Sequence, residues 1–346
     1  MIPRILIGAA QSGAGKTTLT LGLVAAWRRR GLKVQTFKVG PDYLDPTWLA
    51  AASGRPCYNL DGWMHGRDYV ARLFSRISRD ADLVVVEGAM GLFDGVGTSG
   101  REGSSAQIAQ WLQAPVVLAV NAHGMGRSLA PLVAGFAGFD ETVRVEGVIA
   151  NYCGSDNHRE ILSEVLAPPG LPTLLGAVPR LGFPQLPSRH LGLVTADPAQ
   201  NCSSPVLAEF ADAIEQYVDL DEMLRLARRA APFYPASPGP GPLEALPNSE
   251  PGEVSLKQPV RLAVARDKAF HFYYQDLFDQ LEKRGCRLAF FSPLRDPALP
   301  EETDAVYIGG GYPEEFADTL AANDRMLDSL RRFARSGRPF MPNAAD

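Results

Sequence analysis

The stretch AQSGAGKTT, residues 10–18, decides the fold. It follows the apolar run RILIGAA and opens the helical pattern KTTLTLGLVAAWRRRG, which stops at Gly31. A glycine-rich turn between a strand and a helix lets backbone N–H groups wrap a phosphate, and the helix dipole adds to the attraction. Gly13, Gly15, Lys16, Thr17 and Thr18 are the nucleotide-binding candidates. Lys16 is expected to reach the β- and γ-phosphates of a bound nucleotide, and Thr17 to supply a Mg²⁺ ligand. The loop departs from the usual G-x-x-x-x-G-K-[ST] pattern at its first position, which is Ala10.

Working outward, continuous apolar runs alternate with helical patterns: KVQTFKV, DLVVVEG, APVVLAVN, VEGVIAN and PTLLGAV. Such strands, separated by helices, mean a parallel sheet covered on both faces. This first domain is expected over residues 1–230. Residues 231–258, rich in Pro, Gly, Ser and Glu, read as a linker. A second α/β pattern begins with VRLAVARD and runs to the end, over residues 259–346. With three or four strands it resembles half of a doubly wound domain.

The 346 residues are 46% hydrophobic and 21% charged, with a net charge of -5. That composition is ordinary for a soluble globular protein. It gives no support for a nucleic-acid partner, which would favour a basic face. No apolar run reaches the roughly 18–20 residues that span a bilayer, so no membrane role is expected and cytoplasmic is the default location. Cys57, Cys153, Cys202 and Cys286 are scattered without a C-x-x-C pair, and read as buried free thiols.

Two further stretches carry chemistry. Glu87 ends the strand-like run in DLVVVEGAMGLFDG. A carboxylate at the carboxyl edge of a parallel sheet, beside the phosphate loop, is placed to hold Mg²⁺, with a merely solvated strand-end carboxylate as the alternative. FKVGPDYLDP brings Lys38, Asp42 and Asp45 to the end of the next strand. One lysine and two carboxylates suit metal and phosphoryl work. For Asp45, capping of the following helix PTWLAAASG is a rival reading.

The segments SGAGKTT, FKVGPDYLDP, GRPCYNLDGWM, VVEGAMGLFDG, GSSAQIAQWLQAPVVLAVNAHGMGRS, LPSRHLGLV, VARDKAFHFYYQDL and YIGGGYPEEFA occur in order along almost the whole chain. Together they resemble the cobyrinic acid a,c-diamide synthase family of corrinoid biosynthesis. The resemblance implies a dethiobiotin-synthetase-like P-loop domain and a flavodoxin-like class I glutamine amidotransferase domain. It implies a carbon–nitrogen ligase: a corrin acetate carboxylate takes the ATP γ-phosphoryl group, and ammonia from glutamine displaces phosphate to leave the amide.

In this reading Thr17 and Glu87, with Asp42 or Asp45, hold Mg²⁺. Lys38 lies near the transferred phosphoryl group, and Asp42, Tyr43, Leu44 and Asp45 line the reacting carboxylate and metal. Arg127, Arg189 and His190 are candidates, by motif position, for pairing with the substrate's other carboxylates; solvated charges or loop hydrogen bonds are the alternative for each. Asn121 departs from the family's usual Asp. Other tetrapyrrole acids, hydrogenobyrinic acid or nickel-sirohydrochlorin, stay open as substrates, as does a non-catalytic nucleotide-binding remnant. Oligomeric state is left open, with association through the second domain as one route.

The stretch GRPFMPNAAD, residues 337–346, departs further. The family's nucleophile turn reads roughly G-x-P-x-Y-A-E-C-G-G-L. Aligned with it, the Cys falls on Ala344, and the later His and Glu are missing, so the glutaminase half is expected to be truncated and inactive. Under one choice of codons, shifting the family's Y-A-E-C-G-G-L-M by one nucleotide gives Met-Pro-Asn-Ala-Ala-Asp-stop, which matches residues 341–346. A frameshift near Phe340 is the expected origin, and a divergent tail the alternative.

Overall fold

A computed structural model describes residues 2–98, 100–184, 188–189, 192–193, 195–196, 202–233 and 259–342. The chain divides into two compact units, Met1–Ala245 and Leu246–Asp346. Most of the expected linker, and Ala344 with the rest of the tail after Pro342, lie outside the described residues.

The first unit is built on seven parallel strands: β1 (Arg4–Ala9), β2 (Val34–Val39), β3 (Tyr58–Leu60), β4 (Leu83–Glu87), β5 (Val116–Asn121), β6 (Val145–Cys153) and β7 (Thr173–Pro179). Their order is β3-β2-β4-β1-β5-β6-β7. Six were expected; the three-residue edge strand β3 was too short to stand out from its loop. β1 and β2 are buried along their whole length, as strands covered on both faces must be. Ile5, Ile7, Val85, Val117 and Ala119 face one core. Leu6, Val84, Val86, Val116 and Leu118 face the other.

Helices α1 (Lys16–Arg29), α2 (Asp45–Ser53), α7 (Ser204–Tyr217) and α8 (Leu220–Arg228) cover the first face. Helices α3 (Gly62–Ile77), α4 (Ser105–Leu112), α5 (Leu129–Gly138) and α6 (Asp156–Leu166) cover the second. A two-residue ribbon, β8 (Ser188–Arg189) with β9 (Gly192–Leu193), follows β7. Because the seven strands are parallel, all their carboxyl ends and following loops share one edge, where α/β proteins place ligands.

The second unit has four parallel strands: β10 (Val260–Ala265), β12 (Cys286–Phe291), β13 (Ala305–Ile308) and β15 (Phe340–Pro342). Their order, β12-β10-β13-β15, is that of a flavodoxin-like sheet through its fourth strand. An antiparallel ribbon joins β11 (Phe270–Phe272) to β14 (Gly310–Gly311), bringing together the motifs VARDKAFHFYYQDL and YIGGGYPEEFA. A Cβ on Gly311 would lie 1.9 Å from the carbonyl oxygen of Ala269, so only glycine allows that approach. Tyr273 locks the arrangement: its hydroxyl donates to Ala265 O (2.5 Å) and accepts from Gly309 N (2.7 Å). The remaining helices are α9 (Gln275–Lys283), α10 (Ala317–Ala322) and α11 (Asp324–Arg335).

Three of the four cysteines are buried as expected; Cys286 is only partly buried. Among the described residues, no helix is long and apolar enough to cross a membrane.

The helix that carries the phosphate loop depends on one glycine. A Cβ on Gly22 of α1 would sit 2.6 Å from Ile214 and 2.9 Å from the Phe210 carbonyl of α7. Gly22→Leu should therefore force the two helices apart and cost about 1–3 kcal/mol. All four tryptophans, Trp27, Trp48, Trp63 and Trp111, belong to the first unit. Their fluorescence in urea should show a lowered midpoint for that variant, with an unchanged slope.

Candidate functional site

Gly13 and Gly15 take left-handed backbone angles (φ 76° and 89°), which a side chain at either position would strain. Gly15 is also the N-cap of α1, without a side-chain cap. The first-turn N–H groups are thus left for an anion instead of a protein carboxylate or hydroxyl. Asn151, at the carboxyl end of β6, fixes the loop by donating from Nδ2 to Ala14 O (3.0 Å). A Cβ on Gly15 would lie 2.2 Å from that same nitrogen. Lys16 reaches across to the loop after β4 and donates to Met90 O (2.5 Å). Burial, then the charge of Lys38, lowers the Lys16 pKa.

Next to this loop lies a compact ionic centre. Lys38, near the end of β2, is 3% exposed, and Glu87, the last residue of β4, is fully buried. Strand register sets the two side by side. Lys38 Nζ donates to Glu87 Oε1 (2.7 Å) and to Asp45 Oδ2 (2.5 Å). It lies 3.5 Å from Asp42 Oδ2. Thr17 Oγ1 is 2.7 Å from Glu87 Oε1 and 3.1 Å from Asp45 Oδ2, so the phosphate-loop hydroxyl touches both carboxylates that Lys38 holds.

The electrostatics follow from burial and charge count. Burial alone would lower the Lys38 pKa, but Glu87, Asp45 and Asp42 together hold it above its ordinary value. Burial pushes Glu87 up to about 7, against the pull of Lys38. Asp42 is also raised by burial. Asp45 is lowered: burial opposes this, but the Lys38 charge and hydrogen bond outweigh it. Fully ionised, three carboxylates and the ammonium groups of Lys16 and Lys38 leave one negative charge in excess. Glu87 Oε2 is buried without a hydrogen-bond partner. Such an orphaned oxygen, beside a threonine hydroxyl and a second carboxylate, suits a cation.

Asp42 settles the rival reading of Asp45. The Oδ1 atom of Asp42 accepts from Leu44 N (2.9 Å) and Asp45 N (3.0 Å), so Asp42 fastens the entry to α2. That leaves the Asp45 carboxylate to turn toward Lys38 and Thr17. Asn59 of β3 ties the same loop down, donating to Gly40 O (2.9 Å) and Asp42 O (2.7 Å).

Lys16, Thr17, Lys38, Asp42, Asp45 and Glu87 thus converge, with Gly13 and Gly15 shaping the loop. Thr18 is half-buried one residue farther along α1. Tyr43 and Leu44 lie between the two aspartates, half-buried. Arg127 is exposed in the turn between β5 and α5. Arg189 lies on β8, and its side chain, like all of His190, is outside the described residues. Asn121 Oδ1 accepts from His123 N (3.1 Å), bracing its own turn. The sequence reading missed Asn59, Asn151 and Ser105. Ser105 Oγ accepts from Ala89 N (2.9 Å) and donates to Ala89 O (3.0 Å), holding the loop after Glu87. Asn151 had a signal: it lies near the carboxyl end of an apolar strand, at the same sheet edge as Glu87.

Among the described residues, no group of three or more His, Cys, Asp or Glu side chains is arranged to hold a metal ion. Mg²⁺ at a phosphate loop needs no such cage, since one or two side chains, waters and phosphates complete its shell.

Fold and site together define a P-loop nucleotide-binding domain joined to a second, parallel α/β domain. Comparison with known proteins is more specific. Residues 5–194 match the CobQ/CobB/MinD/ParA nucleotide binding domain, and residues 261–342 the CobB/CobQ-like glutamine amidotransferase domain. The chain is 54% identical to a cobyrinate a,c-diamide synthase of Syntrophotalea carbinolica, over 97% of its own length and 71% of the relative. A protein of the same name from Dehalococcoides mccartyi is 40% identical, over 97% and 71%. A hydrogenobyrinate a,c-diamide synthase of Brucella abortus is 43% identical, over 96% and 72%. The chain belongs to the a,c-diamide synthase family, whose named members are amide-forming ligases.

The ion pairing around Lys38 has a direct test. Lys38→Met strips the cation from buried Asp45 and Glu87 and should cost about 3–5 kcal/mol in urea unfolding. Adding Glu87→Gln should recover part of that loss. Without Lys38 the Glu87 pKa rises above its present value of about 7. A protonated Glu87 needs no cation, so the deficit of the single variant should shrink as pH falls toward 7 from above, where only the variant's Glu87 is protonated.

Proposed function

We propose that this chain activates acetate carboxylates of a corrin acid with ATP and forms primary amides, the a,c-diamidation step of cobalamin biosynthesis. The carboxylate oxygen attacks the γ-phosphorus, the bond to the β–γ bridging oxygen breaks, and ADP leaves. Ammonia then attacks the acyl carbon, its extra proton departs, and phosphate is expelled as the amide forms. The observation that carries this reading is the meeting of Thr17, Lys38, Asp45 and Glu87 at one point of the sheet edge. A domain that only binds nucleotide needs the phosphate loop, but not a second loop bringing Asp42, Tyr43, Leu44 and Asp45 to it.

The residues divide the work. The loop amides and Lys16 hold the β- and γ-phosphates, a task of positioning and charge neutralisation. Thr17, Glu87 and Asp45 would hold Mg²⁺, which neutralises charge on the phosphate oxygens when bound. The orphaned Oε2 of Glu87 supports that assignment. Lys38, fixed by its carboxylates and kept protonated, faces the transferring phosphoryl group. Asp42 sets the loop so that Tyr43 and Leu44 flank the incoming carboxylate. Arg127, Arg189 and His190 pair with the acid's remaining carboxylates. The reaction takes place in the cytoplasm, where ATP is supplied.

Glutamine is the nitrogen donor that the family match of the second domain supports, with free ammonia as the alternative. Cys286 is not placed as its nucleophile: it is the first residue of β12, at the amino end of the second sheet and not on a strand-to-helix turn at the carboxyl edge.

Purified protein with ATP and Mg²⁺ should convert cobyrinic or hydrogenobyrinic acid to mono- and diamides, detected by mass spectrometry. Parallel reactions with glutamine and with ammonium chloride at alkaline pH identify the nitrogen donor. Absence of substrate-dependent ADP release with both acids would leave a nucleotide-binding protein instead of a ligase. Lys16→Ala and Glu87→Gln should each slow activation on the order of 100-fold or more. Asp45→Asn should lower turnover more than nucleotide affinity if Asp45 acts on the transferring group. Equal losses would make it a ground-state metal ligand.

A further inference from the structure

The segment GRPCYNLDGWM, residues 54–64, is only partly used by the centre around Lys38. Asn59 ties down the Asp42 loop, and Asp61 caps the turn that follows. Trp63 and Met64 remain, 57% and 62% exposed. A tryptophan offers one of the largest apolar surfaces of any side chain, and leaving it in water forgoes that burial.

Local structure holds these two residues in place. The Asp61 carboxylate accepts from Trp63 N (3.0 Å) and Met64 N (2.9 Å). Gly62 is pressed so closely against its neighbours that a Cβ would lie 2.9 Å from Gln107 and 3.0 Å from Trp111. Gly66, at φ 71° and ψ 169°, then interrupts α3, setting the first turn apart from the rest of the helix.

Topology places this turn beside the reaction centre. The sheet order β3-β2-β4 puts the loops after β3 and β4 on either side of the loop after β2, which carries Asp42 and Asp45. Lys38 pairs in register with Asn59 on one side and Glu87 on the other. The β4 loop also exposes apolar side chains: Met90 is 49% and Val96 51% exposed. The two outer loops are linked, since Gln107, packed on Gly62, accepts from Gly103 N (3.0 Å). Uncharged, partly exposed side chains therefore lie on the loops to either side of the loop that carries Asp42 and Asp45.

We infer that Trp63 and Met64, with Met90 and Val96 across the loop of β2, support the flat apolar body of a macrocyclic polycarboxylate while one carboxylated arm reaches the Lys38 centre. This rests on the functional reading above and specifies how its substrate is held. The division of chemistry selects the occupant. A small acid would need only the charged centre. A ring with an apolar body and ionised arms needs both the centre and an uncharged support beside it. Trp63 and Met64 are thus specificity-determining residues for ring size and do not take part in phosphoryl transfer.

The test compares unmodified protein with Trp63→Ala and Trp63→Phe. Cobyrinic acid is titrated in the presence of a non-hydrolysable ATP analogue and followed by its visible absorbance, and steady-state amidation is measured alongside. Trp63→Ala should weaken corrinoid binding and raise its KM by at least about tenfold. Its kcat should fall far less than kcat/KM, and the KM for ATP should stay unchanged. Trp63→Phe should recover most of the affinity. If the unmodified protein amidates the acid and Trp63→Ala binds it equally well, this inference is wrong and the functional reading stands. If the unmodified protein neither binds nor amidates either corrin acid, both fall. Unaltered corrinoid affinity in Trp63→Ala, with a smaller species in sedimentation, would make the patch a contact between copies and overturn the assignment.

Discussion

Lys38 is an ammonium group buried at the carboxyl edge of a parallel sheet, and its pairing with Asp45 and Glu87 holds three separate segments together. β2 supplies the lysine, the start of α2 one carboxylate and the end of β4 the other. An ionic group this deeply buried is tolerable only when paired and hydrogen-bonded. Every segment that delivers a partner is therefore constrained: Asp42 and Asn59 brace the Asp45 loop, and Ser105 braces the loop after Glu87. The fold does not need this cluster to bury its core, since apolar strands on both faces do that. The cluster adds preorganised charge at the place where phosphoryl transfer would develop it.

The same centre carries an internal tension. Burial pushes Glu87 toward neutrality while Lys38 draws it toward the ionised form. One of its oxygens is left without a hydrogen-bond partner. A site complete in itself would satisfy that oxygen internally. An unpaired carboxylate oxygen beside Thr17 and Asp45 is the feature that supports the cation site proposed above. The loops on either side carry exposed apolar residues instead, Trp63 and Met64 after β3 and Met90 and Val96 after β4.

The phosphate loop was legible because its chemistry is local. Glycines that must adopt positive φ, a lysine and a hydroxyl follow one another along the chain, between a strand and a helix. Glu87 was legible for a related reason: a carboxylate ending a continuous apolar strand has few alternatives to the sheet edge. The role of Asp42 was harder to read, since two aspartates three residues apart can exchange the tasks of capping and ion pairing. Only the direction of each carboxylate separates them. β3 escaped notice because three residues are too few to show periodicity. Asn151 and Ser105 act across large sequence separations, where a single asparagine or serine carries no pattern of its own.

The amino-acid sequence by itself determined the two α/β units, the parallel first sheet, the phosphate loop and the set of charged residues available for chemistry. Each rests on local rules: apolar run length, the period of a helix, the freedom of glycine. Tertiary structure alone decided which carboxylates pair with Lys38, which one fastens a helix, which oxygen stays unpaired, and that the loop after β3 adjoins the loop of Asp42 and Asp45. Those outcomes depend on strand order and register, which bring Lys38, Asn59 and Glu87 side by side although they lie far apart in the chain. Register is set by the packing of both sheet faces together, a property of the whole domain that no short stretch contains.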